Sequence, residues 1–126
     1  MKKTAVFVSV LFFLLTFTAI AAEKTRIAVA SDGKTPASQV SSVAARCPYF
    51  LVFDSKGNFV EALVNPHRNA SGGAGSRAVD FLSQKGMTVI IAGAFGRNMI
   101  DAMKAKGMNY LEFTGSAAQA VQTVLK

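Results

Sequence analysis

From Arg26 onward, apolar positions recur in two alternating patterns. Arg26 to Ala30 (Arg-Ile-Ala-Val-Ala) and Thr88 to Ala92 (Thr-Val-Ile-Ile-Ala) are short apolar runs without polar alternation, as a strand buried on both faces requires. Tyr49 to Asp54 and Asn58 to Val64 are β-rich runs separated by Ser55-Lys-Gly57, a spacing that predicts an antiparallel hairpin. Ser76 to Lys85 gathers Ala78, Val79, Leu82 and Phe81 on a helical face and stops at Gly86. Arg97 to Lys106 does the same with Met99, Ile100 and Met103 and stops at Gly107. Asn109 to Phe113 is a last short strand, and Ser116 is placed to cap a closing helix carrying Ala120, Val121, Val124 and Leu125. Between the first two strands, Ser31 to Pro36 is a loop. Val40 to Arg46 reads as a short helix or an irregular turn, and Pro48 discourages a helix through Cys47.

The predicted order is therefore β, β, β, α, β, α, β, α. Parallel neighbours need helical crossovers whereas hairpins do not, so this order calls for an α/β fold with one mixed sheet covered by helices on both faces.

The N-terminus lies outside that pattern. Lys2 and Lys3 precede an uncharged run of 19 residues, Thr4 to Ala22, with the small-residue pattern Ala19-Ile20-Ala21 near its end. Residues 1–21 read as a secretory signal peptide and residues 22–126 as the single domain, exported, and periplasmic if the source is Gram-negative. The run is also long enough for an uncleaved anchor, but no Lys/Arg cluster follows it to stop transfer. Cleavage leaves 105 residues, enough for one core that buries about 65% of the unfolded surface, and no stable membrane insertion is then expected. The chain has 14 Lys+Arg against 7 Asp+Glu, and without Lys2 and Lys3 the balance is 12 to 7, a net +5 that favours anionic partners.

Cys47 is the one cysteine, so no intramolecular disulfide can form and the apolar core must carry the fold. Its thiol is buried, paired with another chain, or bound to a soft metal. The densest chemical signal is the loop Asn65 to Gly75, where Gly72, Gly73 and Gly75 occupy three of four positions before a helix. Such glycines can turn amides inward while the helix N-terminus adds its positive end, and Arg68 and Arg77 add full charges. The same segment serves equally as a flexible connection. Gly73-Ala-Gly75-Ser-Arg-Ala78 matches a dinucleotide fingerprint only in letters: it does not follow the first strand, and the next strand ends in Ala92-Gly93-Ala94 without an acidic residue. No complete G-x-x-x-x-G-K-Ser/Thr phosphate loop is present: Gly33-Lys34-Thr35 lacks the opening glycine, position 28 being alanine. His67 is the only histidine, and the first strand offers no carboxylate, so hydrolase and two-metal nuclease chemistry are poorly supplied.

Six segments, in order, carry a family resemblance: Arg26-Ile-Ala-Val-Ala-Ser-Asp-Gly33, Arg46-Cys-Pro-Tyr-Phe50, Asn65-Pro66, Ala70-Ser-Gly-Gly-Ala-Gly75, Val89-Ile-Ile-Ala-Gly93, and Phe95-Gly96 followed by Asn98. Together they resemble the dinitrogenase iron-molybdenum cofactor biosynthesis domain over nearly all of the mature chain. The resemblance implies a ribonuclease H-like three-layer α/β/α fold with a mixed five-stranded sheet. It also implies binding or carriage of an iron-molybdenum or related metal-sulfur cluster, with no established catalytic activity. The chain departs from the family pattern at Val43-Ala-Ala-Arg46, where members commonly carry Arg-Phe-Gly-Arg, so an arginine and an aromatic are missing from the pocket edge. The signal peptide is a second departure, because nitrogenase cofactor assembly is cytoplasmic.

Strand order and resemblance point to one surface, the carboxyl ends of the parallel strands, where loops after Ala30, Val64 and Ala92 should gather. The expected binding set is Asp32 after the first strand; Cys47; His67, Arg68, Ser71, Gly72, Gly73, Gly75 and Arg77 around the glycine loop; and Phe95, Gly96, Arg97 and Asn98 at the next helix start. Cys47 and His67 are the candidate metal ligands. One Cys and one His are too few for the four protein ligands of an ordinary iron-sulfur cluster, so a preformed anionic cluster of iron-molybdenum or molybdenum-copper type, held by amides and arginines, is expected. A cluster donor or acceptor protein is the implied partner, and nucleic acid is not. The alternative is a protein-interaction or sensory module of the same fold that has lost cluster binding.

Overall fold

In the computed structural model, which describes residues 25–126, the sheet is built outward from β1 (Ile27–Ser31), a strand buried at every position. β2 (Tyr49–Phe53) pairs antiparallel on one side of it and β4 (Val89–Ala92) pairs parallel on the other. β3 (Phe59–Val64) and β5 (Asn109–Glu112) form the edges, giving the order β3-β2-β1-β4-β5. The central strands are apolar without alternation because both of their faces are covered. Ala28, Ala30, Phe50, Val52, Ile90 and Ala92 face α1 (Ala74–Gln84) and α2 (Arg97–Ala105). Ile27, Val29, Leu51, Phe53, Val89 and Ile91 face α3 (Ala117–Leu125). The result is an α/β fold with a mixed five-stranded sheet and helices on both faces. The signal segment 1–21 lies outside the described residues.

The hairpin expected between β2 and β3 is present. Asp54 Oδ1 accepts from the Asn58 and Lys56 amides, both at 2.9 Å, and these bonds, that of Asn58 foremost, hold its carboxyl below the ordinary carboxylate value. Val40 to Arg46 is the irregular alternative and not a helix. From Pro36 to Ala44 the chain works as a seam: Ser41 N–H donates to Ala30 O at 2.8 Å, Val40 N–H to Gly115 O at 2.9 Å and Ala44 N–H to Ala94 O at 3.1 Å. In return the seam accepts from Gly93 at Ser41 O, from Ala117 at Ser38 O and from Ala118 at Pro36 O, at 2.8–2.9 Å. Gly93 is a glycine because a Cβ there would stand 2.8 Å from Ser42 Cα. The loops after β1, β3, β4 and β5 thus meet at one end of the sheet.

Candidate functional site

At that end α1 and α2 start side by side. A Cβ on Gly75 would stand 3.0 Å from Met99 Cβ and 3.3 Å from the Met99 amide nitrogen, so this glycine lets the two first turns touch backbone to backbone. Neither start is capped by a side chain: α1 follows Gly73, left-handed at φ 69°, and α2 follows Gly96, extended at φ −73° and ψ 158°. Neither first turn carries an acidic residue. First-turn amides have no intrahelical acceptor, and their positive ends add where two helices begin together. The hollow between them, about 320 Å³, is lined by Arg46, Gly73, Gly75, Gly96, Arg97 and Asn98, with Ala45, Ala74 and Met99 as its apolar part. A Cβ at Gly96 would meet nothing within 4 Å.

Arg46, which patterning alone did not single out, ties the glycine loop to this hollow. Its Nη1 donates to Arg68 O and to Ala70 O, both at 3.0 Å. Asn65, buried, acts as a second clamp: Nδ2 donates to Ala45 O and Cys47 O at 3.0 Å, while Oδ1 accepts from the His67 amide at 3.0 Å. Both lie within the quoted Arg46 and Asn65 motifs, and that was the available signal. Side chain to backbone bonds spanning 18–24 residues leave no periodicity to read.

The other expected residues divide among different surroundings. His67, Arg68 and Arg77 line a second hollow of about 520 Å³ with Pro48, Tyr49 and Val64. Arg77 also leans on the glycine loop, its Nε 3.8 Å from where a Gly73 Cβ would lie. Asp32 belongs to a third hollow of about 340 Å³ with Ser42, Gly93 and Phe113. Ser71 and Gly72 are exposed on the loop between the first two hollows and line neither. Phe95 packs its ring on Tyr110, centroids 5.1 Å apart, beside β5. Cys47 is 1% exposed inside the core under α1 and α2, its Sγ 3.5 Å from Ala44 O. Burial pushes the thiol up to about 12, so it stays protonated at neutral pH and its sulfur faces no hollow described here. Among the described residues, no three His, Cys, Asp or Glu side chains converge on a point that could hold a metal ion. The site's capacity is for an anion held by amides and guanidinium groups.

The sequence profile of the dinitrogenase iron-molybdenum cofactor family matches residues 24–126. The chain belongs to this family. Among solved structures, the iron-molybdenum cofactor family chain is similar to the apo form of the orange protein from Desulfovibrio gigas, at 29% identity and TM-score 0.75 over 80% of this chain and 87% of that one. It is 34% identical to a Thermotoga protein described as a NifB protein of the DUF35 family, with TM-score 0.68 over 79% and 86% of the two chains. A Methanocaldococcus jannaschii protein shares the fold at 14% identity and TM-score 0.52, over 81% and 88%. No curated protein matches. Membership in the iron-molybdenum cofactor family points to the binding of a metal cofactor.

Proposed function

We propose that this chain is an exported carrier or scaffold for a preformed anionic metal-sulfur cluster, of iron-molybdenum or molybdenum-copper type, on a ribonuclease H-like fold. The observation that carries the reading is the pair of uncapped helix starts packed together at Gly75 and Met99, with Arg46 and Arg97 lining the same hollow. An anionic cluster there accepts hydrogen bonds from first-turn amides and charge-assisted bonds from the two guanidinium groups. The family name ties its members to such a cofactor, and a neighbour solved as an apo form presupposes a removable group. Carriage rather than catalysis fits a site of amides, arginines and Asn98, which has no nucleophile beside a base. Cluster and protein then associate without a protein-metal bond, and the buried protonated Cys47 stays a core residue.

The test is anaerobic titration with tetrathiomolybdate and copper, read by visible absorption and metal analysis. Arg46→Ala combined with Arg97→Ala should lower uptake by at least about tenfold, the equivalent of one charge-assisted hydrogen bond or more. Added salt should weaken the parent's uptake, since the arginines are exposed. Cys47→Ser should retain uptake. If Cys47→Ser alone eliminates binding while the double arginine variant binds normally, thiolate coordination carries the site and this reading fails.

A further inference from the structure

At one edge of the sheet, β3 has no strand partner on its outer side among the described residues. The Asn65 N–H donates to Pro48 O at 3.1 Å, and alternation along the ladder then turns the N–H and C=O of Leu63 toward β2 and those of Val64 and Ala62 toward the open side. Exposed edges are ordinarily blunted by proline, by several charges or by shortness. β3 is six residues long with Glu61 its sole charge; its one irregularity, a register shift opposite Val52 and Phe53, lies at the Phe59 end, away from Ala62 and Val64, and Val60 and Val64 are 49% and 68% exposed. The strand runs at its carboxyl end into the 520 Å³ hollow, where Tyr49, Val64 and Pro66 form an apolar side and His67, Arg68 and Arg77 a polar, basic one. No acidic side chain lines that hollow.

We propose that this edge and hollow form one docking surface for an extended, acid-terminated segment of a partner protein. The segment pairs main chain to main chain with Ala62 and Val64 and lays its acidic end on Arg68 and Arg77. Strand addition of this kind draws affinity from backbone hydrogen bonds and specificity from what the flanking hollow accepts, here negative charge. A second copy of the chain is the poorer occupant, because residues 22–126 carry a net +5 and its own β3 brings one carboxylate to a doubly basic hollow. The surface is distinct from the hollow between α1 and α2, so it stands independently of the cluster reading.

The probe is a synthetic hexapeptide, acetyl-Thr-Val-Thr-Val-Asp-Glu-amide, against a control ending in Lys-Lys, titrated into isotopically labelled protein. The acidic peptide should shift the amides of Ala62 and Val64 and the signals of Arg68 and Arg77, and the control should bind at least about tenfold more weakly. Val64→Pro removes one outward N–H without touching the β2 ladder; it should lower affinity by a similar factor at unchanged thermal midpoint. Arg68→Glu tests the basic end if Val64→Pro does not fold. Equal binding of the two peptides, no binding of the acidic one, or full affinity in Arg68→Glu overturns the proposal. So does a parent that sediments as a dimer and becomes monomeric in Val64→Pro, which would assign the edge to a second copy.

Discussion

α3 starts at Ser116, whose Oγ accepts from the Gln119 N–H at 3.2 Å while its own N–H donates to Gln119 Oε1 at 3.1 Å. α1 and α2, at the same end of the sheet, start at Gly73 and Gly96, which offer no side-chain acceptor. All three helices carry a dipole of the same sense, and in all three the first-turn amides lack an intrahelical acceptor; in α3 those of Ala117 and Ala118 donate to Ser38 O and Pro36 O and that of Gln119 to Ser116 Oγ. In α3 the chain satisfies them from within, and nothing further can be gained there. In α1 and α2 no side chain takes up that capacity, and the two starts are pressed together at Gly75 and Met99. A helix start stays open through what its cap residue withholds, and the proposed cluster would use two such starts at once.

Three substitutions test that contrast, ranked by their effect on folding. Ile90, fully buried in the layer under α1 and α2, supports the open pair from below. Ile90→Ala should cost roughly 2 to 5 kcal/mol in urea unfolding and carry cluster uptake down with it; a loss under about 1 kcal/mol would show the pair does not depend on this layer. Ser116→Ala frees the Gln119 amide of the closed helix and should cost about 1 kcal/mol, with uptake unchanged. Uptake that falls with it would mean the two regions are not separate. Gly96→Asp closes an open helix: the backbone is already extended and the space is free, so folding should gain a few tenths of a kcal/mol. The added carboxylate should abolish uptake in the same titration. Retained uptake in a more stable variant would remove α2 from the site.

The elements were legible because burial enforces period. Ile27, Val29, Val89, Ile90 and Ile91 were expected in central strands and are buried there. The start of the first helix was less legible: patterning placed it at Ser76, whereas α1 begins at Ala74 with Gly75 in its first turn. Propensity puts glycine outside a helix, but contact with Met99 requires it within. The same blindness affected the site. A single anion-facing surface was expected, and the structure spreads part of its residues over three hollows while Cys47, Ser71, Gly72 and Phe95 line none of them, since which side of a loop a residue faces is fixed by distant clamps such as Arg46 and Asn65. The buried alternative for Cys47 could be stated from sequence; choosing it needed the packing around Ala44 and Phe50.

The seam from Pro36 to Ala44 gives the molecule an order of completion. Its hydrogen bond to Ala30 joins residues close in sequence, but those with Gly115, Ala117 and Ala118 need residues more than 70 positions further on. The wall behind Arg46 and Gly96 is tied through Ala44 and Ala94 to this same seam, so the rim is complete only when α3 is in place. On the proposed function, cluster uptake therefore depends on a helix that lines none of the hollow between α1 and α2.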